Sequence, residues 1–379
     1  MHLLACTLAG TPVMYVDVSE VSAEASLVDP GEATFTVRAY KDAADYLAPW
    51  GGMLVLLDNF GTVLWCGVPV KRRGAVSSGT WEITAREWCH WLERVSALKY
   101  DASSAPYDEY GDYEGAYVGT IINDLFTRIP QSESGFVQVP LLPPVAGTGS
   151  VVTIGDAADL SVSRPSVWEF LSTARDYGVD IWAQTAWETN KYVPRIIVGN
   201  PKIGDTNPVP LWLGDNVSSV YLEEDGDLMT TRWRVKGYSE GAEKFVTTGS
   251  GHVLLDTVKD YGDRFSEADE ELVLGSRAEK LVAGSNGPVR YFSDIEASPE
   301  LALYPGDAVT VSTPPLDDPL LSGEYEVTGR IESIRWETNK TTITMADPQD
   351  EDAPVFAKTR FTKQLRNMGG RVRQIGARA

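Results

Sequence analysis

Two stretches that lie far apart in the chain have the same order of apolar, polar and glycine positions. In each, a glycine turn precedes an apolar strand, a second strand contains a glycine near its middle, and a third strand follows a turn. The repeated order predicts a small β-unit that is present twice, with strands of alternating character. The first copy comprises residues 51–57, 64–70 and 81–84, and the second comprises residues 305–311, 325–331 and 341–345.

The glycine inside the second strand is the most informative position of this unit. Gly67 in the first copy and Gly329 in the second interrupt runs that otherwise have strong strand character. An isolated glycine in a strand usually marks a bulge or the tight bend of a small barrel. We therefore predict two related small β-barrels, the first at 1–100 and the second at 216–240 together with 300–348.

The remaining residues predict a mixed α+β protein that is rich in strands. We expect an α+β domain at 101–215 between the barrels, an inserted domain at 241–299 in the second barrel, and a basic C-terminal arm at 349–379. Apolar spacing and capping signals predict helices at 41–47, 88–95, 117–129, 166–177 and 267–282.

A hairpin is predicted from residues 179–184 and 192–198. Its connection, Trp-Glu-Thr-Asn-Lys at 187–191, recurs at 336–340. Asparagine and lysine suit a turn between two strands, whereas the surroundings of the two pentapeptides differ. We interpret the identity as convergent turn chemistry and expect a hairpin turn at both places.

Composition indicates a folded soluble protein. The chain has 379 residues, of which 43% are hydrophobic and 23% charged. That length corresponds to about two to four domains. No apolar run is long enough to span a membrane, and the N-terminus lacks the features of a signal peptide, so we expect synthesis and assembly in the cytoplasm. Cys6, Cys66 and Cys89 have no metal-binding spacing and are expected to be buried thiols.

The net charge of −21 is unevenly distributed along the chain. Residues 355–379 contain seven lysines and arginines and no acidic residue. The acidic remainder repels nucleic acid, so no stable nucleic-acid binding is predicted. Within the arm, Phe361, Leu365 and Met368 recur with helical spacing, which predicts a short helix that folds against an acidic partner. A basic tail without fixed structure is the alternative. The predicted partner-binding residues are Lys358, Arg360, Phe361, Lys363, Leu365, Arg366, Met368, Arg371 and Arg373.

The sequence predicts no catalytic residue, no metal and no cofactor. Nucleophilic catalysis needs a histidine beside a serine or cysteine, but His252 lies in a Gly-Ser-Gly-His segment without a nucleophile-elbow motif. The acidic, tyrosine-rich segment 101–115 lacks the spacing of a calcium loop and is interpreted as an exposed loop. Phosphate-binding glycine motifs do not occur. We therefore expect a protein that is not an enzyme.

The order of these parts resembles the tail-hub proteins of tailed bacteriophages, which are also called baseplate hub or minor tail proteins. The resemblance spans residues 30–350 and is carried by the run from Gly67 to Trp88, which ends in Arg-Glu-Trp, and by Leu-Tyr-Pro-Gly-Asp-Ala-Val at 303–309. It implies a structural homotrimer at the virion tail tip, with two barrels per subunit forming a pseudo-sixfold ring.

The same resemblance implies which proteins the ring contacts. Its partners would be the tail tube or distal tail protein on one side and receptor-binding or puncturing components on the other. Family members with a large C-terminal extension carry peptidase or lysozyme domains, and the sequence stops at the basic arm instead. The alternative is a cell-wall or glycan-binding or hydrolysing tail protein that uses 101–115 or 241–299 as its site.

Overall fold

A computed structural model gives the structure of the chain. It describes residues 1–27, 29–38, 41–75, 79–95, 113–128, 141–149, 151–154, 166–168, 171, 179–200, 202–205, 209–225, 232–236, 243–247, 256–260, 289–299, 301–315 and 325–345.

The N-terminal part of the chain consists almost entirely of strands. A 3-10 turn at Lys41–Ala43 stands where a helix was predicted at 41–47, and a four-residue helix, α1 (Cys89–Leu92), ends this part. The strand predictions for the first copy are confirmed. The strands are β1 (His2–Cys6), β2 (Pro12–Val16), β3 (Val18–Ser26), β4 (Glu32–Arg38), β5 (Met53–Leu57), β6 (Val63–Ala75) and β7 (Thr80–Glu87).

The middle of the chain combines helix α2 (Val118–Arg128) with short strands. The helix predicted at 117–129 is confirmed, and its buried stripe includes Ile121, Ile122 and Leu125. Residues 113–115, expected in an exposed loop, instead belong to a strand. The helices predicted at 166–177 and 267–282 lie largely or wholly outside the described residues. The strands here are β8 (Tyr113–Tyr117), β9 (Val151–Ile154), β10 (Ile181–Glu188), β11 (Lys191–Val198) and β12 (Val209–Trp212).

The rest of the described chain is again formed by strands, and those predicted for the second copy are confirmed. They are β13 (Val217–Asp225), β14 (Arg232–Lys236), β15 (Glu243–Thr247), β16 (Asp256–Asp260), β17 (Val289–Ala297), β18 (Ala308–Ser312), β19 (Glu326–Glu337) and β20 (Thr341–Met345).

One large sheet contains both copies of the repeated unit. Its strand order is β13-β17-β20-β19-β3-β4-β7-β6-β5-β1-β2, and β18 pairs with both β19 and β12. Two antiparallel pairs form separate small sheets: the hairpin β10-β11, and β8 with β9 across helix α2 in the sequence. The described part of the chain is thus β-rich with few helices, as predicted. Closure of each copy into a barrel stays a prediction.

By its internal contacts the chain divides into two compact units. The first is built mainly from residues 1–219 and 294–346, and the second from residues 220–293. In the second unit β14 pairs antiparallel with β15 and parallel with β16. This sheet includes residues 232–236, which the sequence assigned to the second barrel, while β17 from the expected insertion lies in the large sheet.

The core of the first unit lies where the first copy meets the helices and the β10-β11 hairpin. Trp88 and Leu92 are buried there, although α1 is shorter than the helix predicted at 88–95. Cys6, Cys66 and Cys89 are buried free thiols, as expected. No helix in the described part of the chain is long and apolar enough to cross a membrane.

Both Trp-Glu-Thr-Asn-Lys segments form hairpin turns, as predicted, but their conformations differ. Between β10 and β11 the turn residues Thr189 and Asn190 have φ of 47° and 64°. Between β19 and β20 neither Thr338 nor Asn339 has a positive φ. Thr338 instead exchanges hydrogen bonds with Val21 of β3, which fixes this turn against the neighbouring copy.

Candidate functional site: the strand edges of a duplicated sheet

Each copy contains a meander of three antiparallel strands, β5-β6-β7 in the first and β18-β19-β20 in the second. Gly67 and Gly329 occupy the same position in these two meanders. Gly67 of β6 pairs with Leu54 of β5, and Gly329 of β19 pairs with Val309 of β18. In each copy the ladder to the third strand is interrupted by a bulge that begins two residues after the glycine, at 69–71 in β6 and at 331–333 in β19. Equal positions of bulge and glycine indicate one topology used twice.

Pairing beyond the bulge is also equivalent. Arg72 of β6 pairs with Ile83 of β7, and Ile334 of β19 pairs with Ile343 of β20. The fourth strand is also placed equivalently in the two copies. Phe35 of β4 pairs with Ile83 in the first copy, and Ile295 of β17 pairs with Ile343 in the second. The correspondence therefore extends over four strands in each copy.

One cross-strand pair shows how the two copies differ while their backbones agree. In the second copy buried Trp336 pairs with Thr341, whereas in the first copy Gly74 pairs with Trp81. A Cβ added to Gly74 would lie 2.4 Å from the Trp81 indole, so the large side chain has moved to the opposite strand of the pair. Such an exchange conserves volume within the layer.

A fifth strand of each copy is identified by hydrogen bonds rather than by the glycine pattern. The Ser19 hydroxyl in β3 donates to the Thr36 carbonyl, and the Ser218 hydroxyl in β13 donates to the Glu296 carbonyl of β17. Glu296 and Thr36 are equivalent in the ladders above, so β13 is the counterpart of β3. The surrounding sequences agree, with Asp-Val-Ser-Glu-Val at 17–21 and Asn-Val-Ser-Ser-Val at 216–220.

The two copies are joined within the chain by antiparallel pairing of β3 with β19. Ser333 pairs with Ser26, Arg335 with Glu24, and the register continues to Glu337. One edge of β19 is thus shared by two strands. Before the bulge this edge pairs with β18, and after the bulge it pairs with β3. We call this pairing the internal junction.

An ion pair crosses the internal junction. The Arg335 guanidinium donates to the Glu24 carboxylate, with Nε 3.1 Å from Oε2, and this contact raises the pKa of the arginine. Both side chains are partly exposed, at 51% and 33%, so the pair sets register more than it stabilises the fold.

Equivalent glycines allow a matched test of the meander. We expect Gly67→Ala to lower the free energy of unfolding by about 2–3 kcal/mol, because its Cβ would lie 2.1 Å from the Arg86 backbone carbonyl oxygen. Gly329→Ala should cost less than about 1 kcal/mol, because its Cβ meets only the flexible methyl end of Met345. Urea unfolding of the two variants measures both values. Equal losses would contradict the difference in packing.

A second ion pair fixes β19 to the residues that precede the second copy. The Arg330 guanidinium donates to Asp180 Oδ2 at 2.7 Å and to the carbonyl oxygens of Ile203 and Gly306. Asp180 also accepts the backbone N–H of Ile203, and its side chain is 1% exposed. This pair, in which the carboxylate is buried and the arginine side chain is 24% exposed, holds β19 in position beside the β10-β11 hairpin.

The Arg-Glu-Trp segment contributes a buried carboxyl group. Glu87 accepts the backbone N–H of Gly31 at 2.7 Å and the indole N–H of Trp182 at 3.3 Å. Burial raises the pKa of Glu87 to about 8, and the nearby carboxylate of Glu24 acts in the same direction. The group borders a cavity of about 230 Å³ that Trp65 and Trp182 also line. At neutral pH it is largely protonated and serves as a structural acceptor.

Among the described strands, two edges lack the neighbour that their counterparts have. β13, the counterpart of β3, ends the strand order and pairs there with β17 on one side. The half of β6 that follows its bulge, including residues 71–75, pairs among these strands with β7, whereas the corresponding half of β19 pairs with β20 and β3. An unpaired edge presents backbone donors and acceptors that another strand can satisfy. These two edges are the candidate functional site.

The partner-binding residues predicted from the sequence, Lys358, Arg360, Phe361, Lys363, Leu365, Arg366, Met368, Arg371 and Arg373, lie outside the described residues. His252 and the acidic segment 101–112 also lie outside them. Within the described ranges no three His, Cys, Asp or Glu side chains are grouped to hold a metal ion.

Two solved structures resemble this chain over nearly its full length. The tail protein from Neisseria meningitidis MC58 is 13% identical, with a TM-score of 0.55, over 91% of this chain and 95% of that one. The 43 kDa tail protein of prophage MuSo2 from Shewanella oneidensis is 15% identical, with a TM-score of 0.55, over 93% of this chain and 100% of that one. No family model and no curated protein matches in sequence.

At these identities the likeness shows the fold. It agrees with the resemblance to tail-hub proteins that the glycine turns and the Arg-Glu-Trp segment predict. The chain therefore has the fold of phage tail proteins, and the predicted resemblance is confirmed at that level.

Proposed function

We propose that this protein is a structural hub at the tip of a phage tail, where three copies form a ring with pseudo-sixfold symmetry. The observation that carries the proposal is the duplicated five-strand unit whose copies are joined by the internal junction. Because each chain contains two equivalent copies of this repeat, three chains present six similar surfaces. Such a ring matches a sixfold partner without six separate subunits.

The ring would join the tail tube or distal tail protein to receptor-binding or puncturing components. Its free edges support this assembly, since pairing between copies would cover strand edges that otherwise invite aggregation. The net charge of −21 suits a ring through which DNA passes without binding. The protein would be located in the virion tail and assembled with it.

We propose no catalytic role. The alternative, a cell-wall or glycan-hydrolysing protein, needs carboxyl groups that face a cleft and act on substrate. The buried carboxyl groups of Asp58, Glu87 and Asp180 each accept backbone N–H groups, which supports structural roles for them.

Oligomeric state tests the hub directly. We expect a trimer of the 41.4 kDa chain by light scattering and native mass spectrometry across micromolar concentrations. Negative-stain electron microscopy should then give ring-shaped classes with three or six lobes. A monomer throughout this range, with no rings, would contradict the proposed function.

The basic arm is proposed to bind an acidic neighbour in the tail. Deleting residues 355–379 should leave thermal unfolding of the folded part unchanged and weaken co-assembly with a neighbouring tail protein in a pull-down. In a matched variant, the seven basic residues of the arm are changed to Gln and its apolar residues are kept. This variant distinguishes a contribution of charge to co-assembly from a contribution of apolar contact. Co-assembly at the level of the full chain after the deletion would remove this role.

A further inference from the structure

The free edges of β6 and β13 are the counterparts of the two edges that meet in the internal junction. Position by position, Arg335 of β19 corresponds to Arg73 of β6. On the other strand, the hydrogen bonds of Ser19 and Ser218 make these two serines equivalent. Glu24 of β3 and Glu223 of β13 each lie five residues after that serine, so counting along the strands gives the two free edges the residue types of the internal ion pair.

We infer that β6 of one copy pairs antiparallel with β13 of a second copy, in the register of the internal junction and with Arg73 opposite Glu223. The inference rests on the proposed ring and adds the strands, the register and the residues that hold it. We call this pairing the external junction.

Charge supports this register independently of the equivalence. The transferred register places Lys71, Arg72 and Arg73 opposite Asp225, Glu224 and Glu223, respectively. Three basic residues thus meet three acidic ones in directly opposed positions, where opposite charges attract and like charges destabilise. Of the three, Arg72 also donates to the Ala44 carbonyl oxygen at 3.0 Å within its own chain, so Lys71 and Arg73 carry most of this argument. Among the described residues, none forms an ion pair or hydrogen bond with the side chain of Lys71 or Arg73, and both residues are exposed.

The same charges exclude other pairings of these edges. Two β6 edges would oppose three cations to three cations, and two β13 edges would oppose acidic residues to acidic residues. Repulsion between like charges disfavours pairing of β6 with β6 and of β13 with β13. The external junction is therefore head-to-tail, which is the type of contact that generates rings when its rotation closes.

Disulfide trapping tests the register. We expect the double variant Arg73→Cys with Glu223→Cys to give covalent dimers and trimers on mild oxidation at pH 8, resolved by non-reducing gel electrophoresis. The native thiols should not interfere, because Cys6, Cys66 and Cys89 are all buried, and burial raises the pKa of Cys6 and Cys66 to about 12.

Two control variants accompany this test. Arg335→Cys with Glu24→Cys occupies the same positions of the internal junction and should form a disulfide within one chain. Arg72→Cys with Glu223→Cys places the thiols on opposite faces of the sheet and should give no link.

The outcomes separate this inference from the proposed function. A trimer by mass that gives no link between Arg73→Cys and Glu223→Cys, while the internal control forms, would overturn the external junction and leave the hub standing. A link within one chain would also overturn the junction. A monomer by mass with no intermolecular link would overturn both.

Charge reversal provides a second measurement. Arg73→Glu and Glu223→Arg should each raise the concentration at half-assembly by at least about tenfold, because every junction of the ring then opposes like charges. Combining them should restore assembly to near the original value. Arg335→Glu, at the equivalent internal position, should leave assembly within about twofold. Failure of the double variant to recover, with both single variants folded, would overturn the pairing.

Discussion

Replacing Glu87 with Gln should remove most of the decrease in stability that the protein undergoes between about pH 5 and pH 8. The pKa of Glu87 is raised from 4.5 to about 8 by burial, so the folded state binds its proton more tightly than the unfolded state. The stabilisation is complete below the unfolded pKa and is lost as the pH rises through the folded one. The shift corresponds to a loss on the order of 5 kcal/mol.

The variant itself should be slightly less stable than the original at pH 5. Glutamine has one acceptor oxygen, whereas Glu87 accepts both the Gly31 and the Trp182 N–H groups. One hydrogen bond is lost, at a cost of about 1 kcal/mol. The stability curves of the two proteins should therefore cross as the pH rises.

Urea unfolding at half-unit steps from pH 5 to pH 8.5 measures both curves. Glu32→Gln is the matched control, because the Glu32 side chain is 48% exposed and its replacement should leave the slope unchanged. A slope that persists in Glu87→Gln would show that another group causes the pH dependence.

Arg330→Met should lower the free energy of unfolding by about 3 kcal/mol or more, because it leaves the Asp180 carboxylate buried without a cation. The two carbonyl oxygens that Arg330 contacts, of Ile203 and Gly306, would also lose their donor. Arg330→Lys should recover only part of the loss, since an ammonium group cannot reproduce the planar set of donors. Chemical denaturation at pH 7 gives these values.

A matched control lies on the same strand. Arg335→Met removes the half-exposed ion pair with Glu24 and should cost less than about 1 kcal/mol. The double variant Arg330→Met with Asp180→Asn should be more stable than Arg330→Met alone, because the uncompensated charge is gone. Equal losses for Arg330→Met and Arg335→Met would contradict the role of burial.

The repeated meander was predictable because its signals are local. Glycine turns, alternation and the interrupting Gly67 and Gly329 fall within short windows, and each reflects the backbone geometry of one hairpin or bulge. Helix α2 was predictable for the same reason, from a stripe of apolar residues at helical spacing. The four-residue α1 shows the limit of such a pattern, because Val95 packs against the core although the helix ends at Leu92.

The fifth strand of each unit and the internal junction were not predicted. The strand β3 precedes β4 directly, whereas β13 and β17 are separated by residues 226–288, so no local pattern connects them. The only sequence signal is the short agreement between 17–21 and 216–220. Pairing of β3 with β19 depends on contacts between residues about three hundred positions apart, which single-sequence periodicity does not encode.

Although their meanders match, the two copies of the repeat differ in the strand that flanks them. In the first copy β5 pairs with β1 of the β1-β2 hairpin, and in the second copy β18 pairs with β12 in parallel. A proposed ring of three chains would alternate these two flanks around its circumference. A sixfold neighbour that contacts only the meanders would have six similar binding sites on the ring, whereas a protein that binds the β1-β2 hairpin would have three. The same ring could thereby bind one sixfold partner and one threefold partner.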